Sequence, residues 1–181
     1  MVQESNLDKI AKLFFQRPSR EWYLKEISRK TKIAHTSVIN YLNKLIADGI
    51  IVKKQIKRGK RNFPYYKANL NSPRYKPQKI IYNFSSIINS EIINYLNGKL
   101  MPQSIVVFGS YQKGEDTEDS DIDIFVEANE EKINLEKFEK LLNRKIQLHF
   151  NPNFKTYSKE LKNNIANGWV FGGYLKYENT D

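Results

Sequence analysis

The chain has 181 residues, a formal net charge of +10 and no cysteine. The lack of cysteine excludes a disulfide framework and a thiolate metal site and fits a reducing compartment, so we expect a cytoplasmic protein. No segment approaches the roughly 18 consecutive apolar residues of a membrane span, and the early acidic residues Glu4 and Asp8 are not typical of a signal peptide.

The positive charge is concentrated in the first 80 residues. They hold 19 Lys and Arg against 5 Asp and Glu, a balance of +14, whereas residues 81–181 hold 11 against 15, a balance of −4. This asymmetry suggests a basic module that binds a polyanion, joined to an acidic module that needs a metal ion. A surface that merely reflects a lysine-rich composition is the alternative, but it does not explain why the excess ends near residue 80.

Three helices are predicted in the basic half. The first begins after Ser5, a favourable N-cap, and ends before Pro18. A short second helix lies near residues 24–28, and a third spans residues 34–45. The inward stripe of the third helix is predicted to consist of Ala34, Val38, Leu42 and Leu45.

Two strands, at residues 50–52 and 64–68, are predicted to flank a basic loop at 53–62. Three helices followed by a basic hairpin resemble the winged helix-turn-helix family, as does the pattern LxKLxxDGII over residues 42–51. The resemblance implies a third helix in the major groove of duplex DNA, with outward residues His35, Thr36, Ser37, Asn40 and Lys44. It also implies that wing cations hold phosphates, namely Lys57, Arg58, Lys60 and Arg61. For any single residue, a solvated helix face remains the alternative, and paired recognition helices would require a homodimer.

Residues 71–78 separate this half from the next. They contain Pro73 and Pro77 and show no apolar periodicity, so we expect a stiff linker. A long amphipathic helix then runs from about residue 80 to 96. The predicted domains are therefore residues 1–70 and 79–181.

The acidic half contains the most informative motif of the chain. An apolar run at residues 105–108 ends in Gly109 and Ser110, and after ten intervening residues come Asp121 and Asp123. Glycine lets backbone amides approach a polyphosphate, and Ser110 adds a hydroxyl donor. Two carboxylates on one strand face, about 7 Å apart along the backbone, suit one or two Mg²⁺ ions that hold a triphosphate. A glycine turn beside an acidic, solvated strand end is the alternative.

The pattern Gly-Ser, ten residues, Asp-x-Asp resembles the DNA polymerase β-like nucleotidyltransferases, in particular their minimal nucleotidyltransferase branch. The resemblance implies an α/β (α+β) fold with a small mixed sheet flanked by helices. It implies transfer of a nucleoside monophosphate from an NTP, with ATP first, to an acceptor hydroxyl. Mg²⁺ or Mn²⁺ would bind Asp121 and Asp123, and the triphosphate would bind Gly109, Ser110 and Lys113. The branch further suggests a HEPN-type toxin as partner, with a tyrosine as acceptor.

Two residues depart from the pattern of that branch. Lys113 stands where the branch usually has arginine, so a single ammonium charge replaces a guanidinium group that can bind phosphate through two hydrogen bonds. Active members usually carry a third Asp on a later strand, predicted here at 144–150, and Gln147 stands at that position. Glutamine can ligate a metal but cannot act as a base near neutral pH. The alternative function is therefore a DNA-binding regulator or antitoxin whose nucleotide-binding domain is catalytically degenerate.

Other acidic and basic residues near the motif receive plainer interpretations. His149 shares a strand face with Gln147 and has a suitable pKa range for a base, but an exposed strand-end histidine is the preferred interpretation. Glu127 is predicted to lie too far along its strand, and the acidic run at 115–119 is expected to be a solvated loop. A last helix is predicted to include Leu161, Ile165 and Trp169, followed by a closing strand at 170–175.

Overall fold

A computed structural model of the chain describes residues 5–59 and 61–175, with Arg58 and Lys155 described by their backbone alone. The chain divides into two units, Met1–Tyr82 and Asn83–Asp181. The division falls within a helix, α4 (Tyr75–Ser90). Within the described ranges, no helix has the length and apolar character needed to cross a membrane.

The first unit contains three helices followed by an antiparallel hairpin. These elements are α1 (Asn6–Gln16), α2 (Leu24–Thr31), α3 (His35–Ala47), β1 (Ile51–Arg58) and β2 (Arg61–Ala68). The three predicted helices are confirmed. Ser5 caps α1 as expected, because its hydroxyl accepts the Asp8 N–H at 3.2 Å while the Asp8 carboxylate accepts the Ser5 N–H. This reciprocal pair satisfies two backbone donors that the start of a helix leaves without partners.

The core of the first unit is shared by the helices and the hairpin. Its fully buried members include Ile10, Phe14, Trp22, Ile27, Val38, Leu42 and Ile51. Trp22 also forms a bridge with Tyr66, in which each backbone N–H donates to the other residue's carbonyl at 2.8 Å. The segment before α2 is therefore joined to β2 by backbone hydrogen bonds as well as by packing.

Two predictions for this unit are corrected. The predicted loop at 53–62 is wrong, because both strands continue to a tight turn beside Gly59, whose φ is +61°. The physical reason is a fully paired ladder, in which Ile56 lies opposite Phe63 and Lys57 opposite Asn62. Ala34 does not belong to the inward stripe of α3, because it is the exposed N-cap of that helix.

The predicted linker at 71–78 is also only partly correct, because α4 begins at Tyr75. Pro77 lies in the first turn of α4, where a missing N–H breaks no intrahelical hydrogen bond. Tyr75 is buried, and its hydroxyl donates to the Phe14 carbonyl at 3.0 Å. Packing and this hydrogen bond stabilise a helix start that proline content alone disfavoured.

The single long helix predicted to about residue 96 is divided in two. Helix α4 ends at Ser90, Glu91 takes a left-handed conformation with φ +62°, and α5 runs over Ile92–Leu100. The buried Ser90 hydroxyl donates to the Ile87 carbonyl at 2.7 Å and accepts the Ile92 N–H at 3.3 Å. These local bonds compete with the helical ladder and explain the break.

The second unit is built on a four-stranded sheet of order β5-β4-β3-β6. Its strands are β3 (Ser104–Phe108), β4 (Ile122–Val126), β5 (Ile146–Phe150) and β6 (Trp169–Gly173). Strands β4 and β5 are parallel, whereas β3 is antiparallel to both β4 and β6. The sheet is therefore mixed, as predicted, and the mixed α/β class is confirmed.

Helices cover the sheet of the second unit, and they are α5, the short α6 (Gly109–Lys113), α7 (Glu136–Leu142) and α8 (Lys159–Ala166), together with the end of α4. One sheet face, with Ile105, Val107, Ile122 and Ile124, packs on Ile87, Ile92, Leu96 and Phe138. The other face, with Val106, Phe108 and Phe125, packs on Phe154 and Ile165. Side chains alternate between the two faces along β3 and β4, and both faces are covered, so one core lies on each side of the sheet.

The predicted last helix is shorter than expected, because Trp169 is the first residue of β6. Gly168 makes the change possible. A Cβ at this position would lie 2.5 Å from Val106 Cγ1 and 2.6 Å from the Val107 carbonyl oxygen. Only glycine lets the chain pass this close to β3 before it pairs with that strand.

The C-terminus of α5 offers a test of backbone strain. Met101 caps α5 with φ +43° and is 86% exposed, so its side chain contributes little packing. We expect Met101→Gly to raise the free energy of unfolding by about 0.5–1 kcal/mol, because glycine adopts this conformation without a Cβ clash. Urea unfolding checks this, and Met101→Ala, which keeps the Cβ, should show no such gain.

Candidate functional site

Gly109 and Asp123 are in close contact at the junction of two neighbouring strands. Strand β3 leads directly into α6, so the predicted turn at Gly109 is the first residue of a short helix, with φ +78°. Asp123 lies on β4 opposite Phe108. A Cβ on residue 109 would lie 2.5 Å from Asp123 Oδ2. The site therefore requires glycine both for its backbone conformation and for the close approach of a carboxylate.

His149 contacts the other oxygen of the same carboxylate. Its Nε2 lies 2.9 Å from Asp123 Oδ1, and the two side chains are 24% and 26% exposed. The imidazole ring also packs against Phe108, with ring centroids 5.1 Å apart. The interpretation of His149 as an exposed strand-end residue is therefore wrong. It contacts Oδ1 of Asp123, whereas Oδ2 is the oxygen that lies against Gly109.

Gln147 lies beside Asp123 on the neighbouring strand. Strands β4 and β5 are parallel, and their register pairs Asp123 with Gln147. Gln147 is exposed, whereas His149 reaches back to Asp123 from two residues further along β5. The side chains around Asp123 on β5 are thus an amide and an imidazole.

The remaining predicted residues of this site differ in exposure. Asp121 is exposed and lies one residue before β4 begins. Ser110 is half-buried in the first turn of α6, and Lys113 is exposed at the end of that helix. The structure thus brings Gly109 and Asp123 together with His149.

Asp116 belongs to a buried ion pair that the sequence did not reveal. Arg144 Nη2 donates to Asp116 Oδ2 at 3.2 Å, and the exposed fractions of the two side chains are only 3% and 1%. Asn83 Nδ2 donates to Asp116 Oδ1 and to the Tyr111 carbonyl, both at 2.8 Å. The prediction of a solvated acidic loop at 115–119 is therefore wrong for Asp116, whereas Glu115 and Asp119 are exposed as expected. This network joins α4, α6 and the turn between α7 and β5 to the loop that leads to Asp121.

Glu127 also has a structural partner set. It is buried, and its carboxylate accepts hydrogen bonds from Ser104 Oγ at 2.8 Å and from the Phe154 N–H at 3.5 Å. These bonds join the end of β4 to β3 and to the segment after β5. The prediction that Glu127 lies away from Asp121 and Asp123 is consistent with this separate role.

The end of α7 is joined to the start of β5 through Glu139. Its carboxylate accepts hydrogen bonds from Lys145 Nζ at 3.0 Å and from the Ile146 N–H at 3.1 Å. The hydrogen bond from Lys145 is the main reason why the pKa of Glu139 is lowered, and the Ile146 N–H adds to it. The strand that carries Gln147 and His149 is thus held at its first residue.

The predicted DNA-contacting residues lie in the first unit. His35, Thr36, Asn40 and Lys44 are exposed on α3 and Ser37 is half-buried, while Val38, Leu42 and Leu45 of the same helix are buried. Lys57 and Arg61 are exposed on the hairpin. Lys60 lies outside the described residues, and the Arg58 side chain is not described.

Comparisons with known proteins give one family model and one solved structure. Residues 90–171 match the family model of the nucleotidyltransferase domain, and this range includes the Gly109–Asp123 contact and β5. A solved structure described as a possible transcriptional regulator from Methanosarcina mazei Go1 is 21% identical, with a TM-score of 0.36. That match covers 51% of this chain and 79% of the other chain. A comparison with curated proteins finds no match.

Nucleotidyltransferase domains generally use divalent metal ions, and the residues around Asp123 can be compared with that need. Mg²⁺ in such sites commonly binds one or two carboxylates together with substrate phosphates. Asp121 and Asp123 fit this donor set as oxygen ligands. Among the residues that the structure describes, no group of three or more His, Cys, Asp or Glu is arranged to hold a metal ion. The two carboxylates therefore fit a cation whose remaining ligands come from the phosphates of a bound nucleotide.

The Gly109–Asp123 contact can be tested by adding one methyl group. We expect Gly109→Ala to lower the free energy of unfolding by about 1–3 kcal/mol, because φ is +78° and the Cβ would meet Asp123 Oδ2. Urea unfolding measures the change. Gly98→Ala is the matched control, since Gly98 lies inside α5 with no atom within 4 Å of an added Cβ. That control should be neutral or stabilising by up to about 1 kcal/mol, and equal effects of the two changes would contradict the prediction.

Proposed function

We propose that the second unit transfers a nucleoside monophosphate from an NTP, with ATP as the first candidate, to an acceptor hydroxyl. The observation that supports this most directly is the Gly109–Asp123 contact, in which a carboxylate lies against the glycine that follows β3. The segment that contains it matches the nucleotidyltransferase domain model. Backbone N–H groups at a glycine can approach a phosphate group closely, and a neighbouring carboxylate can bind the cation that accompanies the phosphate.

In this proposal each residue has a defined role. Gly109 and Ser110 hold the triphosphate, and Lys113 contributes a positive charge. Asp121 and Asp123 hold Mg²⁺ or Mn²⁺, which when bound neutralises charge on the phosphates. The acceptor hydroxyl oxygen attacks the α-phosphorus while its proton passes to solvent water. The bond between the α-phosphorus and the oxygen that bridges to the β-phosphate breaks, and pyrophosphate leaves. His149 keeps Asp123 oriented through the 2.9 Å contact with Oδ1.

A tyrosine of a HEPN-type toxin partner is the acceptor that we propose. The second candidate function is nucleotide binding without turnover, in a regulator or antitoxin that binds DNA. The observation that favours it is Gln147, which lies in register with Asp123 and cannot take a proton from the acceptor hydroxyl. The two candidates share nucleotide binding and differ only in the chemical step.

Transfer of label from [α-³²P]ATP to the partner protein distinguishes these two candidates. If the unit is an enzyme, the wild type labels the acceptor in Mg²⁺, and Asp123→Asn lowers the rate by at least about 100-fold because a metal-binding charge is lost. Asp119→Asn, a change at an exposed acid of the preceding loop, should leave the rate unchanged.

An inert wild type that still binds ATP would assign the domain to nucleotide binding alone. In that case we expect Gln147→Asp, which restores a carboxylate beside Asp123, to create metal-dependent transfer. If Asp123→Asn transfers label as fast as the wild type, the proposed site is wrong.

For the first unit we propose duplex DNA binding by a winged helix-turn-helix arrangement, with α3 as the recognition helix. Support comes from the exposed polar residues of α3 and from the +14 charge balance of residues 1–80. A homodimer would present two α3 helices to a palindromic site with half-sites about one helical turn apart. DNA binding of this kind is compatible with either candidate function of the second unit.

Salt dependence tests this part of the proposal. We expect the affinity for duplex DNA to fall steeply as the salt concentration rises. Simultaneous replacement of Lys57, Arg58, Lys60 and Arg61 by alanine should make the plot of log affinity against log salt concentration less steep, by about one unit of slope per lost phosphate contact. Asn40→Ala should instead relax sequence preference. Gel-shift titrations of the full chain measure both effects. Lys132→Ala with Lys137→Ala, at exposed sites of the acidic half, is the control, and salt-insensitive binding would contradict the proposal.

A further inference from the structure

The hairpin of the first unit has two different faces. Strand pairing places Ile51, Ala68 and Tyr66 on one face, and all three are buried. Side chains alternate along a strand, so the intervening residues lie on the opposite face. We call this opposite face the outer wing face, and its described side chains are Val52, Lys54, Ile56, Arg61, Phe63, Tyr65 and Lys67.

An apolar pair lies in the half of the outer wing face that is nearer to the turn. Ile56 and Phe63 are directly opposite each other in the register, and they are 37% and 41% exposed. Directly opposite side chains in an antiparallel pair have Cβ atoms about 5 Å apart, so the two form one contiguous patch. The patch lies near the turn at Gly59, far along the strands from the buried residues Ile51 and Ala68. Its position therefore gives it no part in the core of the unit.

Cations and an aromatic side chain surround this pair. Arg61 lies on the turn side, and Lys54 and Lys67 lie on the other side along the two strands. Tyr65 is the next residue of this face on β2, and its ring lies 6.4 Å from that of Tyr23. The described side chains of the face include no acid, and the nearby Glu21 accepts a hydrogen bond from the Tyr65 hydroxyl. The face is thus apolar in the middle and positive at both ends.

This arrangement matches the surface chemistry of a nucleic acid. Phosphates carry negative charge on both sides of a groove, and the flat apolar faces of the base pairs between them become accessible where a base step is partly unstacked. Proteins that bind the minor groove often insert apolar side chains such as Phe and Ile between base steps and hold the flanking phosphates with cations. Because the hairpin is only two strands wide, it can bring such an apolar pair close to a groove.

We propose that Ile56 and Phe63 form an apolar wedge that inserts at a base step in the minor groove of duplex DNA, while Lys54, Arg61 and Lys67 contact the flanking phosphates. The inference rests on the proposed DNA binding of the first unit and adds a second reader to it. Partial unstacking costs least at flexible pyrimidine–purine steps. The wedge therefore gives the chain a preference for a TA step that does not depend on base contacts from α3.

The experiment uses the full chain and two short duplexes, one with a central TA step and 2-aminopurine beside it, the other with a stiff A-tract. We expect the wild type to raise the 2-aminopurine fluorescence and to bind the TA duplex on the order of tenfold more tightly than the A-tract duplex. The double change Ile56→Ala and Phe63→Ala should remove both effects without changing the salt slope, because no cation is lost. Phe63→Leu, which stays apolar, should retain most of the preference.

Leu70→Ala is the matched control, because Leu70 is a 59% exposed apolar residue outside the hairpin. It should behave as the wild type. Binding of both duplexes without a fluorescence change would overturn the wedge and leave the proposed DNA binding intact. Absence of duplex binding at low salt would overturn both. Tighter binding to a single strand or to anionic vesicles than to either duplex would also overturn the wedge and assign the outer wing face to that partner.

Discussion

The candidate site of the second unit depends on the absence of a side chain at residue 109. Asp123 Oδ2 occupies the space that a Cβ would take, and His149 contacts the other carboxylate oxygen. In the register of β3 and β4, Phe108 lies opposite Asp123, so Asp123 comes next to the residue that follows Phe108, which is Gly109. A carboxylate that is already oriented by a hydrogen-bonding partner loses little conformational freedom when it meets a ligand, which favours binding. Backbone sterics at one position thus determine the geometry of the whole site.

Burial separates the carboxylates of this region by role. Asp116 and Glu127 are buried and hydrogen-bonded to Arg144 and Ser104, and they join segments that are distant in the sequence. Removing one partner of a buried ion pair is strongly destabilising, so Asp116 is constrained by the fold. Asp121 is exposed and Asp123 is half-buried, which leaves them accessible to a cation. Residues of one chemical type therefore serve the fold or the surface according to their depth.

Features with a local pattern were predictable from the sequence. The apolar run of β3, the glycine that follows it and the alternation of acidic and apolar residues in β4 identify Gly109 and Asp123 without any long-range information. The Asp116–Arg144–Asn83 network was not predictable, because its members lie about 30 residues apart and only the tertiary fold brings them together. The break at Glu91 was missed because a non-glycine residue takes a left-handed conformation there. The contact that His149 makes with Asp123 could not be predicted from local sequence, because Asp123 lies on another strand.

Helix α4 has a practical consequence for any attempt to separate the two units. Tyr75 belongs to the core of the first unit, where its ring lies 5.6 Å from that of Phe15, while Ile87 of the same helix belongs to a core of the second. A fragment that ends at residue 70, where composition suggests the boundary, would expose the pocket left by Tyr75 and lose its hydrogen bond to Phe14. Limited proteolysis would also be slow at the division between Tyr82 and Asn83, since that peptide bond lies in a folded helix.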